Sequence, residues 1–221
     1  MSSHAIDRRS ALRSFGALAV TAAVAGCADR AVPQADDDNL GFAGVVLGEP
    51  LDKPELSFAD TDGKAFDLAA ETKDQLTLLF FGYTTCPDVC PVTLSIIDAA
   101  LKRLKGRAAD TKVVFVGVDT ARDTPEAMRR YLDARGDGFV GLNVQDDLGT
   151  LNTALTKLLL PGVTIPTPET DGSYVVGHPS QVVVFTPDNR AHIVYQFGVT
   201  AKDWTTDLPR LADFDWPATT R

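Results

Sequence analysis

Leu76-Thr77-Leu78-Leu79-Phe80-Phe81-Gly82-Tyr83-Thr84-Thr85-Cys86-Pro87-Asp88-Val89-Cys90-Pro91 changes character twice along its length. Leu76–Phe81 is almost continuously apolar, the pattern of a strand buried on both faces. A turn bearing two cysteines follows. Pro91 then suits the first turn of a helix, where its missing N–H costs nothing. Apolar residues at Leu94, Ile97, Leu101 and Leu104 keep helical spacing, and Gly106 lies just past the expected end.

The flanking sequence extends this strand-turn-helix unit in both directions. Upstream, Leu56 and Phe58 alternate with polar residues, Asp62-Gly63 marks a turn, and Phe66 and Leu68 alternate on its far side, which predicts a hairpin. Downstream, Lys112–Val118 reads as a second buried strand. Asp123-Thr124-Pro125-Glu126 opens a helix, with Asp123 as the expected N-cap, Glu126 three residues on, Met128, Tyr131 and Leu132 as the apolar face and Gly136 as the stop. Leu148, Leu151, Leu155 and Leu158 mark a third helix. Gln181–Phe185 and Ala191–Phe197 form a hairpin across Pro187-Asp188-Asn189, and a last helix from near Thr200 buries Trp204 and Leu208. Strands alternating with helices imply parallel pairing, and the late hairpin adds antiparallel strands. The expected fold is α/β: a thioredoxin-like central mixed sheet flanked by helices, with an additional N-terminal β-hairpin. Residues 160–180 remain irregular and proline-rich, and long loops in compact domains are often functional.

Composition narrows the chemistry. The 221 residues are 44% hydrophobic, enough for one domain with a normal core. A net charge of −9 repels phosphate backbones and argues against nucleic-acid binding. Arg8, Arg9 and Arg13 precede an apolar, alanine-rich run from Phe15 to Ala25, which is shorter than the roughly 20 residues a membrane span needs. The layout is that of an export signal. It ends Val24-Ala25-Gly26-Cys27, similar to a bacterial lipobox, so Cys27 is the expected lipidation site. Arg8-Arg9 followed by Leu12 resembles a twin-arginine signal, with Ala11 where that motif prefers a bulky residue; Sec and Tat export both stay open. The expected organisation is a signal over 1–26, a lipidated cysteine and flexible acidic tether over 27–43, and a folded domain over 44–215. The protein is then exported and held by lipid on the outer face of the cell membrane or in the periplasm.

Only Cys27, Cys86 and Cys90, and only His4, His178 and His192, can supply soft-metal or redox chemistry. Cys90 falls at or near a helix N-terminus, where the helix dipole favours a thiolate. Cys86 lies on the turn leading in, so the two sulfurs can converge on one ion or join as a disulfide. Thiolates select copper(I) or zinc. A third donor must come from another loop, and His178, just before the Gln181–Phe185 strand, is the best placed. His192 starts an edge strand past a hairpin turn, at the opposite end of the sheet. Asp88, between the cysteines, reads as a solvated turn residue. Alternatives remain: a structural disulfide, or a redox-active Cys86/Cys90 pair, although thioredoxin-like reductases mostly use two intervening residues where this chain has three.

Phe81-Gly82-Tyr83-Thr84-Thr85-Cys86-Pro87-Asp88-Val89-Cys90-Pro91 resembles the signature of the Sco/SenC family, and so does Val118-Asp119-Thr120-Ala121-Arg122-Asp123-Thr124-Pro125. Gly141-Leu142, Tyr174 and His178 continue the pattern, and the resemblance covers residues 44–212. It implies copper held by Cys86, Cys90 and His178. It also implies delivery of copper to the CuA site of cytochrome c oxidase subunit II, or reduction of the CuA cysteines by a thiol-disulfide oxidoreductase, with a copper donor chaperone or a thiol reductant as further partners. Asp119, Arg122 and Asp123 are expected to cap the helix and bind one another near the site. Thr120 stands where the family has proline, Gly177 where it has aspartate, and Pro179 after the histidine is unusual; a cis His178-Pro179 bond is one expectation.

Overall fold

The computed structural model describes residues 39–145 and 147–216. The chain runs β1 (Val45–Asp52), β2 (Ser57–Asp60), β3 (Ala65–Asp67), α1 (Leu68–Glu71), β4 (Thr77–Gly82), α2 (Val89–Leu101), β5 (Lys112–Gly117), α3 (Pro125–Asp133), β6 (Val140–Asn143), α4 (Leu148–Lys157), β7 (Val182–Phe185), β8 (Arg190–Tyr195) and α5 (Ala201–Asp213). The strands form one mixed sheet in the order β1-β8-β7-β4-β5-β6-β2-β3. β4, β5 and β6 are parallel, β7 and β8 run antiparallel beside β4, and α2 and α5 pack against each other. This is the α/β arrangement expected, with the β2–β3 hairpin joined at the far edge through β6.

Burial explains the centre. Every residue of β4 is buried, and Leu78, Leu79, Phe80 and Phe81 are fully so. Each such side chain contributes about 1.5–3 kcal/mol relative to an exposed one, which fixes β4 between β5 and β7. Crossovers from β4 leave on one side to β5, while β7 approaches from the other. The carboxyl ends of β4 and β5 therefore open onto the crevice where α/β sheets place their ligands.

The structure departs from the sequence-based expectations in several places. β6 lies between α3 and α4, where two consecutive helices were expected. β1 covers β8, so the strand carrying His192 is internal and not an edge. α2 begins at Val89, ahead of Pro91, and ends at Leu101; Gly106 instead opens a single 3₁₀ turn at φ 63°. α3 takes Thr124 as N-cap, whose hydroxyl accepts from Ala127 N, because the Asp123 carboxylate is used elsewhere. No cis peptide bond occurs among the described residues, so His178-Pro179 is trans. α5 starts as expected, with Thr200 and Asp203 forming a reciprocal capping box over buried Trp204 and Leu208.

Candidate metal centre

The turn after β4 is tight: Cys86 N donates to the Tyr83 carbonyl at 3.1 Å, and α2 starts three residues later. Cys90, in the first turn of α2, is fully buried, whereas Cys86 is half-buried; neither is in a disulfide. Gly82 makes room for the inner sulfur. A Cβ there would sit 2.7 Å from Cys90 Sγ and 2.8 Å from the Phe115 ring, so only glycine lets β4 pass this close.

The irregular segment between α4 and β7 folds back over this turn. Its arms are bridged at Thr164 and Gly177, each N–H donating to the other's carbonyl at 2.9 Å. The next residue, His178, is half-buried. Its Nδ1 donates to the carbonyls of Phe81 (2.9 Å) and Pro179 (2.8 Å), and its ring stands edge-on to Tyr83 at 5.4 Å. Carbonyls accept and cannot donate, so Nδ1 carries a proton and Nε2 is the ring nitrogen turned toward the cysteines. Nε2 points at Cys90 Sγ, 3.7 Å away.

Cys86, Cys90 and His178 thus place one sulfur, a second sulfur and one nitrogen within 4.8 Å of one another. A three-coordinate ion with bonds of about 2.0–2.3 Å holds its donors about 3.5–4 Å apart. The Cys90–His178 edge already has that length, and closing the widest edge takes about an ångström of side-chain rotation. Two soft thiols and an imidazole suit copper(I) or zinc.

Electrostatics separates the two sulfurs. Burial pushes the Cys90 thiol well up, against the expectation of a dipole-favoured thiolate there. The helix N-terminus instead serves Cys86, whose sulfur accepts from the Cys90 backbone N–H at 3.5 Å. Asp88, at the N-cap position, is exposed and its side chain caps nothing.

The second motif supports the turn from below. Asp123 Oδ1 accepts from Thr84 N (2.8 Å) and Thr84 Oγ1 (2.7 Å), and Oδ2 accepts from Asp119 N at 3.0 Å. This carboxylate joins the loop after β4 to the loop after β5, and burial raises its pKa. Asp119, fully buried, accepts from Arg122 Nε and from the Tyr174 hydroxyl (2.8 Å). The acidic pair and Arg122 were expected to bind one another; the part played by Tyr174 was not, and neither was the Phe81 carbonyl that orients His178. Tyr174 had a signal in its place in the motif pattern, whereas a backbone carbonyl leaves none.

His192 lies at the far end of the sheet, as expected, with Nε2 2.7 Å from Asp188 Oδ2 and its ring stacked on Trp216 at 4.2 Å. Cys27 and His4 lie outside the described residues.

The comparisons agree on one group. The SCO1/SenC family model matches residues 49–213. A Stutzerimonas stutzeri protein named a putative copper-binding protein is 38% identical over 148 residues, 63% of this chain and 68% of that one. Bradyrhizobium japonicum ScoI, solved with copper bound, is 31% identical with a TM-score of 0.59, covering 75% of this chain and 99% of its own. Apo Sco1 of Thermus thermophilus, solved in solution, is 28% identical with a TM-score of 0.67, covering 77% and 96%. With its two signature motifs built into one turn-and-loop site on a thioredoxin-like sheet, the chain belongs to the SCO1/SenC family.

Proposed function

We propose that this protein carries one copper ion between Cys86, Cys90 and His178 and hands it, outside the cytoplasm, to the CuA site of cytochrome c oxidase subunit II. The observation that carries the reading is the convergence of two sulfurs and an imidazole whose Nε2 faces the inner sulfur. Copper is the metal named for the Stutzerimonas relative and bound in the Bradyrhizobium structure. The oxidase partner follows from the family resemblance.

The site's asymmetry gives the exchange a direction. Cys90 is inside, while Cys86 and His178 are each partly exposed. An acceptor thiolate reaches the ion from the Cys86 and His178 side, displaces those donors first and leaves Cys90 as the last to let go. Binding drives off the Cys90 thiol proton, because the thiolate is the ligand. The folded domain is tethered through lipid on Cys27 after removal of residues 1–26, which keeps it near a membrane-bound acceptor.

The test is an anaerobic copper(I) titration of the reduced chain. One equivalent binds, and His178→Ala binds more weakly; full affinity in that variant would defeat the ligand assignment. A second reading has its own observation: both cysteines are free, and Cys86 is half-exposed beside a helix N-terminus. Attack by Cys86 on a partner disulfide, resolved by Cys90, yields two partner thiols and a Cys86–Cys90 disulfide. That reduction does not need His178, so His178→Ala separates the two activities.

A further inference from the structure

The segment that carries His178 has no regular structure between α4 and β7, so something must hold the imidazole over the cysteines. Besides the Thr164–Gly177 bridge and the Phe81 carbonyl that receives the ring N–H, Tyr174 and Arg122 tie the segment down. The Tyr174 hydroxyl donates to buried Asp119 Oδ1 at 2.8 Å, and Arg122 Nη2 donates to the Tyr174 carbonyl at 3.3 Å. The Arg122 guanidinium lies 3.6 Å from the Tyr174 ring centroid and 5.8 Å from that of Tyr83. Its Nε is paired with Asp119 Oδ2. Asp119 is further held by Arg122 N and Ala121 N at 3.3 Å, so the anchor is rigid.

From this juxtaposition we infer that Asp119, Arg122 and Tyr174 form a clamp that sets the position of His178, and so decides whether the centre presents three donors or only the two sulfurs. The inference rests on the three-ligand reading above. The clamp reaches the imidazole by two routes. One is the chain itself, since Tyr174 precedes His178 by four residues and the bridged Gly177 lies between them. The other is aromatic: Arg122 faces Tyr83, and Tyr83 stands edge-on to the His178 ring. Asp119 and Arg122 belong to the loop after β5, Tyr83 to the turn after β4, and Tyr174 to the loop before β7. The clamp therefore joins all three segments that surround the centre. These are positioning residues, because none of their polar atoms is among the converging donors. With the clamp shut, Nε2 faces Cys90. With it open, only the two sulfurs remain to hold an ion that an acceptor is drawing away.

The test uses Tyr174→Phe, which deletes only the hydroxyl, and Arg122→Lys, which removes the planar stack and the forked hydrogen bonding. The first readout needs no metal: amide hydrogen exchange and imidazole ¹⁵N shifts of the reduced apo chain. Losing a hydrogen bond to a charged group opens the loop, so Gly177 and Thr164 amides exchange about tenfold faster or more. The His178 ring signals move toward free-imidazole averages, while His192 and the β4 and β5 amides stay as in the parent. Unchanged Gly177 protection and His178 shifts in both variants overturn the clamp. If Arg122→Lys loses protection across the whole sheet, Tyr174→Phe alone decides. The second readout is copper(I) affinity. Each variant falls toward the affinity of His178→Ala, and adding His178→Ala to either causes no further loss. A full additional loss in the double variants also overturns it. If His178→Ala itself binds copper like the parent, the ligand reading fails, and the apo readout still decides the clamp.

Discussion

His178 and His192 each press an imidazole against aromatic rings, at opposite ends of one sheet, yet they are equipped for different work. His178 gives its N–H to two backbone carbonyls and meets Tyr83 edge-on, so its second nitrogen faces the Cys90 sulfur. His192 commits Nε2 to the Asp188 carboxylate and lies flat on Trp216. Asp188 is held in turn by Thr186 Oγ1 and Arg190 N, which closes the hairpin between β7 and β8. A neutral carbonyl fixes a ring and leaves its lone pair available, whereas a carboxylate bound within a turn makes the ring a strut. Residue type is shared between the two ends; partner type assigns the role.

The largest effect that would break this contrast comes from the inner sulfur. Cys90→Ala removes the fully buried donor, and the protein no longer retains copper(I) through gel filtration. Next is His178→Ala, which lowers copper(I) affinity by more than the roughly 10–100-fold typical of losing an outer-shell partner, as read by competition with a chelator. Third is pH. Burial holds the Cys90 thiol protonated in the free protein, so copper must displace that proton. Affinity therefore weakens as pH falls, by about tenfold per unit for each proton displaced. Because the folded chain keeps this proton where the unfolded chain loses it, the apo fold has its full stability below the ordinary thiol pKa of about 8.5 and loses stability as pH rises above it toward the raised folded value. Melting of the reduced apo chain between pH 7 and 10 checks the sign. Fourth, Gly82→Ala forces a Cβ against Cys90 Sγ and Phe115, costing about 1–3 kcal/mol in chemical denaturation and weakening copper binding. The smallest effect on copper sharpens the contrast from the other side. His192→Ala leaves copper affinity unchanged while lowering stability by about 1–3 kcal/mol, through the lost Asp188 partner and Trp216 stack.

The strand-turn-helix at the centre was legible because its parts obey strong local rules: an unbroken apolar run, a proline in the first helical turn, and apolar residues at helical spacing. The thioredoxin-like sheet followed from element order. β6 escaped notice because Val140-Gly141-Leu142-Asn143 is too short to show a pattern, and β1 because Gly48 and Pro50 interrupt it and its register shifts between Val46 and Leu51. At the site, the Cys86–Cys90 spacing and the place of His178 just before a strand singled out three candidate donors. Neither could say that α2 would aim its N-terminus at Cys86 and bury Cys90, since that depends on how closely Gly82 lets the strand approach. Asp123 shows the same limit. Its sequence context is that of a helix cap, and the fold spends the carboxylate on Thr84 and Asp119 while Thr124 takes the cap.

The most direct measurement is X-ray absorption at the copper edge of the reduced protein loaded with one equivalent of copper(I). Two sulfur neighbours and one nitrogen neighbour are expected, with the nitrogen lost in His178→Ala. A spectrum with sulfur neighbours alone in the parent protein, or one whose nitrogen survives that substitution, would contradict this expectation.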